Sequence, residues 1–65
     1  MCIATIYIGD DDRKEEAMRD VISVETENGG ILLTSILGEE KLLHARIRSI
    51  DFLKHSVIVE LEKQQ

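Results

Sequence analysis

Five short aliphatic runs separated by turn signals constrain this chain more than any other feature. They span residues 2–8, 21–26, 31–37, 41–50 and 57–61. All are rich in β-branched residues, which suit a pleated, half-buried surface. The last alternates cleanly, with Val57, Val59 and Leu61 on one face and Glu60 and Glu62 on the other. Asn28, Gly29 and Gly30 separate the second run from the third and form a tight hairpin signal. Gly38, Glu39 and Glu40 divide the third from the fourth, and residues 52–56 turn the fourth into the fifth. The fourth run places Leu43, Ala45 and Ile47 on one face and His44, Arg46 and Arg48 on the other. Leu42 and Ile50 depart from that division. At about ten residues this run is long enough to bend and serve two parts of a small barrel.

The remaining stretch, DDDRKEEAMR at residues 10–19, carries the only helical hint. Asp12 could act as an N-cap with Glu15 three positions on, although a capping box prefers Ser or Thr. The expectation is a charged loop or one helical turn. Together the runs predict a mostly β fold: a small five-stranded, partly open barrel of SH3-like or Sm-like type, with residues 1–65 as one domain.

Size and charge narrow the function. A chain of 65 residues buries only about 60% of the surface its unfolded form exposes. Chains this small often recruit a metal or a second subunit. Tyr7 and Phe52 are the sole aromatics, so the core is aliphatic and lacks large anchors. A net charge of −5 opposes binding to a phosphate backbone, which needs clustered Lys and Arg. No stretch is long and apolar enough to span a membrane, and the first residues lack signal-peptide character. A cytoplasmic location is expected, consistent with a lone thiol.

That thiol, Cys2, is the main candidate for chemistry. A free cysteine is often a small buried hydrophobe, but chain termini are seldom packed deeply enough to need one. As a thiolate, Cys2 closes a five-membered ring around a metal together with its own nitrogen. That nitrogen is a free amine if Met1 is removed. It is a backbone amide if Met1 stays, and the Met1 amine then adds a second ring. Sulfur and nitrogen donors of this kind favour tetragonal Ni(II) or Cu(II). Two chains about a two-fold axis supply two thiolates and two nitrogens, which gives about one metal per dimer.

Other candidates are weaker. His44 lies beside Arg46 and Arg48, His55 lies beside Lys54, and a solvent-facing role suits both. Asp10, Asp11 and Asp12 lack the ligand spacing and glycine of an EF-hand. The face carrying His44, Arg46 and Arg48 is the one basic stripe and would be the RNA-binding surface of a small barrel, but no pair of aromatics accompanies it for base stacking. A scaffold subunit with an incidental cysteine is a third reading. Catalysis is not expected, because so short a chain leaves little room for a substrate pocket.

MCIATIYI at the start, then DVISVE, ILLTSILGE, RIRSIDF and a closing VIVELE resemble the CooT family along essentially the whole chain. The most specific parts are Met1-Cys2, Gly38-Glu39 and Ile50-Asp51. CooT proteins are small nickel-binding proteins associated with maturation of the nickel-containing carbon monoxide dehydrogenase. The resemblance implies that Cys2 is the nickel ligand, that the protein is a homodimer, and that the metal sits at or near the dimer contact. It also implies that the partner is a nickel enzyme or its maturation factors. The absence of a histidine-rich tail points to handling of single Ni(II) ions.

Overall fold

A computed structural model describes residues 3–62, all strand or turn with no helix among them. Six strands follow in chain order: β1 (Ala4–Gly9), β2 (Lys14–Glu27), β3 (Gly30–Ser35), β4 (Glu40–Leu43), β5 (Ala45–Asp51) and β6 (Ser56–Leu61). They form one sheet in the order β4-β3-β2-β1-β6-β5. Its one parallel pair joins β1 to β6, and the other pairs are antiparallel. The outermost strands, β4 and β5, are consecutive in the chain, so the sheet curls toward closure without completing it.

The mostly β, partly open architecture is as the sequence predicts, with two corrections. The first is a strand count of six instead of five. The fourth run does bend to serve two neighbours, and the bend divides it: β4 pairs with β3, His44 turns the corner, and β5 pairs with β6. The His44 carbonyl accepts a hydrogen bond from the Glu62 amide at 2.8 Å, which fixes the corner to the end of β6. Gly30 lies directly against it, because a Cβ there would run into the Leu43 carbonyl oxygen.

The second correction concerns residues 10–19, which contain no helical turn. The loop is only residues 10–13, and β2 begins at Lys14. One carboxylate oxygen of Asp10 accepts the amides of Asp12 (2.9 Å) and Arg13 (2.8 Å). The Asp10 amide donates to the Arg13 carbonyl at 2.8 Å. The bonds from the Arg13 and Asp12 amides hold the Asp10 carboxyl below its usual range. Asp10 is thus a turn former, as Asp commonly is.

Two bulges shape the strands further along. Between the pairs Val21↔Ser35 and Ser23↔Thr34, β2 advances two residues against one of β3, which leaves Ile22 extra. Between Ile47↔Val59 and Ser49↔Ile58, β5 does the same at Arg48. A bulge shifts the two-residue alternation by one. Consequently Val21 and Val24 face the same side despite a spacing of three, as do Ile47 and Ile50. Two further irregularities lie on β2 opposite β1: Asp20 adopts a left-handed φ of 57° where β2 takes three steps against two of β1, and between Ile6↔Met18 and Tyr7↔Glu16 β2 takes two steps against one.

The core is aliphatic, as expected. Ile6, Leu33 and Val59 are fully buried at its centre, with Val21, Ile31, Val57 and the small Ala4 and Ala45 around them. Among the described residues no buried side-chain polar atom lacks a partner. Buried Ser35 accepts the amides of Leu37 (3.3 Å) and Glu39 (3.2 Å), which shapes the turn carrying Gly38 at φ +87°.

Gly30→Ala should force β3 away from the His44 corner and destabilise the protein by about 1–3 kcal/mol, the usual cost of overpacking. Urea unfolding measures this. A loss under about 0.5 kcal/mol, the range of an ordinary surface change, would show that the corner does not depend on this close approach.

Candidate metal-binding end and apolar groove

Met1 and Cys2, the metal ligands expected from the sequence, lie outside the described residues. The structure instead defines the setting of the residue that follows them, Ile3. Here β1 begins between two neighbours. Ala4 pairs with Val21 of β2, and Thr5 pairs with Ser56 of β6. The Thr5 amide donates to the His55 carbonyl at 2.9 Å. His55 presents that carbonyl from a left-handed conformation, φ 52°, at the end of the residue 52–55 turn. The beginning of β1 is therefore fastened to a turn close to the opposite end of the sequence.

Beside this point the unclosed sheet leaves a groove of about 270 Å³. Ile3 and Ala4 of the chain's beginning, residues 21–24 of β2, Ile47 and Ile50 of β5, and Val57 of β6 form its walls. None of these residues is charged. Both bulges serve it: one inserts Ile22, which projects from β2, and the other turns Ile47 and Ile50 to the same side. The departure of Ile50 from simple alternation was visible in the sequence, but its cause, the extra residue at Arg48, was not. Ile22 gave no signal, since it sits inside an ordinary apolar run.

The histidines stand apart from each other. His44 is exposed at the β4–β5 corner, and exposed His55 contributes its backbone to the β1 fastening. Among the described residues no group of three or more His, Cys, Asp or Glu side chains is arranged to hold a metal ion. A second concavity, beside the β1–β2 loop, is lined by Ile8 and the charged residues 12–15.

The two arginines of the basic stripe share one carboxylate. Arg46 Nε donates to Glu60 Oε1 at 2.7 Å and its Nη2 lies 2.6 Å from the same oxygen, while Arg48 Nη1 donates to Oε2 at 3.0 Å. The carboxylate spends both oxygens on the two guanidinium groups across the β5–β6 pair. One carboxylate thus offsets one of the two guanidinium charges. The hydrogen bond and charge of Arg46, aided by Arg48, hold the Glu60 carboxyl below its ordinary 4.5. A lowered folded-state value makes ionised Glu60 stabilising above its unfolded value, and the contribution disappears as pH falls through the folded one. Glu60→Gln should therefore lose less stability than the wild type on acidification below about pH 4.5. Parallel urea titrations check this; identical slopes would mean that the cluster is not formed in solution.

The fold has a counterpart among known proteins. No curated protein sequence matches the chain. Among solved structures, the crystal structure of a protein described as CooT from Carboxydothermus hydrogenoformans superposes with a TM-score of 0.87 at 27% identity. The match covers 95% of this chain and all of that one. Among the described residues, no helix is long and apolar enough to cross a membrane. The model of the family described as CO dehydrogenase accessory protein CooT matches residues 1–60, and the chain belongs to that family.

Proposed function

We propose that this protein is a homodimeric Ni(II)-handling accessory protein of carbon monoxide dehydrogenase, with the ion held through Cys2 of both chains. The observation that carries this reading is the family match, which begins at residue 1 and so takes in Met1-Cys2. The donor chemistry agrees with it. A thiolate and the nitrogen of the same residue form a stable chelate ring, and two such pairs complete a four-coordinate ion of the tetragonal type that Ni(II) and Cu(II) favour. Met1, where it is retained, adds its amine.

The rest of the molecule fits carriage better than catalysis. The groove walls carry no charged residue, and the described residues offer no acid–base pair beside it. What the fold provides is a fixed origin for a short ligand segment, since β1 is hydrogen-bonded to β6 and to the residue 52–55 turn. Ligands carried on the few residues before a fixed strand can rearrange when the ion is passed on. The nickel is thus cargo, and the receiving protein is the dehydrogenase or one of its maturation factors.

Nickel titration of untagged protein tests the proposal, read by thiolate-to-nickel charge-transfer absorption and native mass. Saturation is expected at about one Ni(II) per two chains, and Cys2→Ser should abolish tight binding while leaving the fold intact. Affinity should also fall on acidification, because the thiol and any backbone amide must lose protons to bind. Full affinity in the Ser variant would overturn the assignment of Cys2. Tighter uptake of Cu(II) is expected from the general order of metal affinities, so selectivity must be measured by competition.

A further inference from the structure

We infer that the outer face of the β2-β1-β6-β5 half of the sheet, centred on Tyr7, is a docking face for an acidic segment of a partner protein. Glu16, Tyr7, Ile58 and Ser49 lie opposite one another in a row across these four strands. Ile6, Val57 and Val59 belong to the core cluster. Their neighbours Tyr7 and Ile58 therefore project from the other side of the sheet, away from the core and the groove. The inference is independent of Cys2 and of nickel.

Three features of this face suit such a partner. The first is charge. Lys14 Nζ lies over the Tyr7 ring, 5.2 Å from its centre. Arg19 rests on Glu16, with Nε donating to Oε2 at 3.0 Å and Nη2 to Oε1 at 3.1 Å. Arg46 and Arg48 stand at the other end on Glu60. Four cations against two carboxylates leave a positive centre on a chain whose net charge is −5. Around it runs an acidic rim of Asp10, Asp20 and Glu62, near enough to interact with Arg48, Arg19 and Arg46 respectively.

Depth is the second. The side chains of Arg19, Arg46 and Arg48 are 71%, 68% and 47% exposed, against 40% for Glu16 and 33% for Glu60. The carboxylates therefore lie beneath the guanidinium groups they hold, and the outermost charges are positive. A guanidinium has several N–H donors in a planar fork. Each arginine thus binds its own carboxylate and still presents donors to a second one. Because these side chains are already held in place, they lose less freedom on binding than unrestrained ones.

Extent is the third. Neighbouring strands lie about 4.8 Å apart, so β2 and β5 are about 14 Å apart across the face, with arginines at both ends. An extended chain rises about 3.4 Å per residue, so two carboxylates about four residues apart reach both ends. Between them Ile58 is only 5% exposed, and half-buried Tyr7 supplies the surface. A nucleic acid fits this face less well. Base stacking needs open aromatic rings, whereas Tyr7 is half-buried and has Lys14 over it. A strand with a phosphate on every nucleotide would also meet the acidic rim as it leaves the face, which a short acidic segment of protein avoids.

The test is a titration of the isotope-labelled, untagged full chain with a capped hexaglutamate peptide at low ionic strength, followed by amide NMR shifts. Shifts are expected around Tyr7, Lys14, Arg19 and Arg48, and binding should weaken as salt is added. Lys14→Glu and Arg48→Glu should each weaken it by about fivefold or more. Lys54→Glu changes the net charge equally but lies on the residue 52–55 turn, outside the face, and should stay within about twofold of the wild type. Circular dichroism verifies the fold of each variant. Exposed Lys14, outside the Glu60 cluster, keeps the test valid if Arg48→Glu fails to fold. Cys2→Ser should bind the peptide as the wild type does. Absence of binding at low ionic strength would overturn the inference. So would shifts spread evenly over the chain, or a Lys54→Glu protein weakened as much as Lys14→Glu. Hexauridylate bound more tightly than hexaglutamate would assign the face to RNA and overturn its assignment to a protein segment.

Discussion

The parallel pairing of β1 with β6 is the constraint on which the rest of the structure depends. It joins the first strand of the chain to the last and makes β1 a central strand with neighbours on both sides. Ile6 of β1 is fully buried and pairs with Val57 of β6. Without that pairing, β5 and β6 form a hairpin with nothing to close against, and β1 to β4 form an open meander with one apolar face in water. Parallel neighbours cannot be joined by a tight turn. Here the whole of β2 to β5 serves as the crossover. The same pairing ends in the bond from the Thr5 amide to the His55 carbonyl, so the contact that completes the core also fixes where residues before Ile3 must emanate.

Much of this was legible in the residues, and the parts that were not have physical causes. The apolar runs at 21–26, 31–37 and 57–61 map onto strands because β-branched alternation reports a half-buried surface directly. Asn28-Gly29 marks its hairpin because the turn needs a residue at positive φ, and Gly29 supplies it at 74°. Residues 14–19 misled because the first half of β2 is an edge: β3 pairs only from Val21 onward, so little besides Ala17 and Met18 is even partly covered. Charged residues on such an edge discourage pairing with other chains, and they imitate the composition of a loop or helix. The corner at His44 gave no signal because its cause lies elsewhere, in the Gly30 backbone packed against it and the Glu62 amide bonded to it.

The site divides along the same line. Cys2 stood out because its chemistry belongs to the side chain and needs no fold to be recognised. The family resemblance was likewise present in the residues, and the match over 1–60 bears it out. The groove, by contrast, is assembled from four strands by two bulges and a parallel pairing. No local pattern encodes it. The basic stripe is the converse case: Glu60, which pairs with Arg46 and Arg48, lies on the neighbouring strand, and no pattern within residues 44–48 points to it.

Size limits what this fold can keep inside. The core consists of one small aliphatic cluster that includes two alanines and no aromatic side chain. Phe52 and Leu53, at 68% and 93% exposure, lie on the turn after β5 instead of inside the core. A chain of 65 residues has too little interior to enclose all its large apolar side chains, so Phe52, Leu53 and the isoleucines of the groove remain on the surface even though the core is closed around Ile6, Leu33 and Val59.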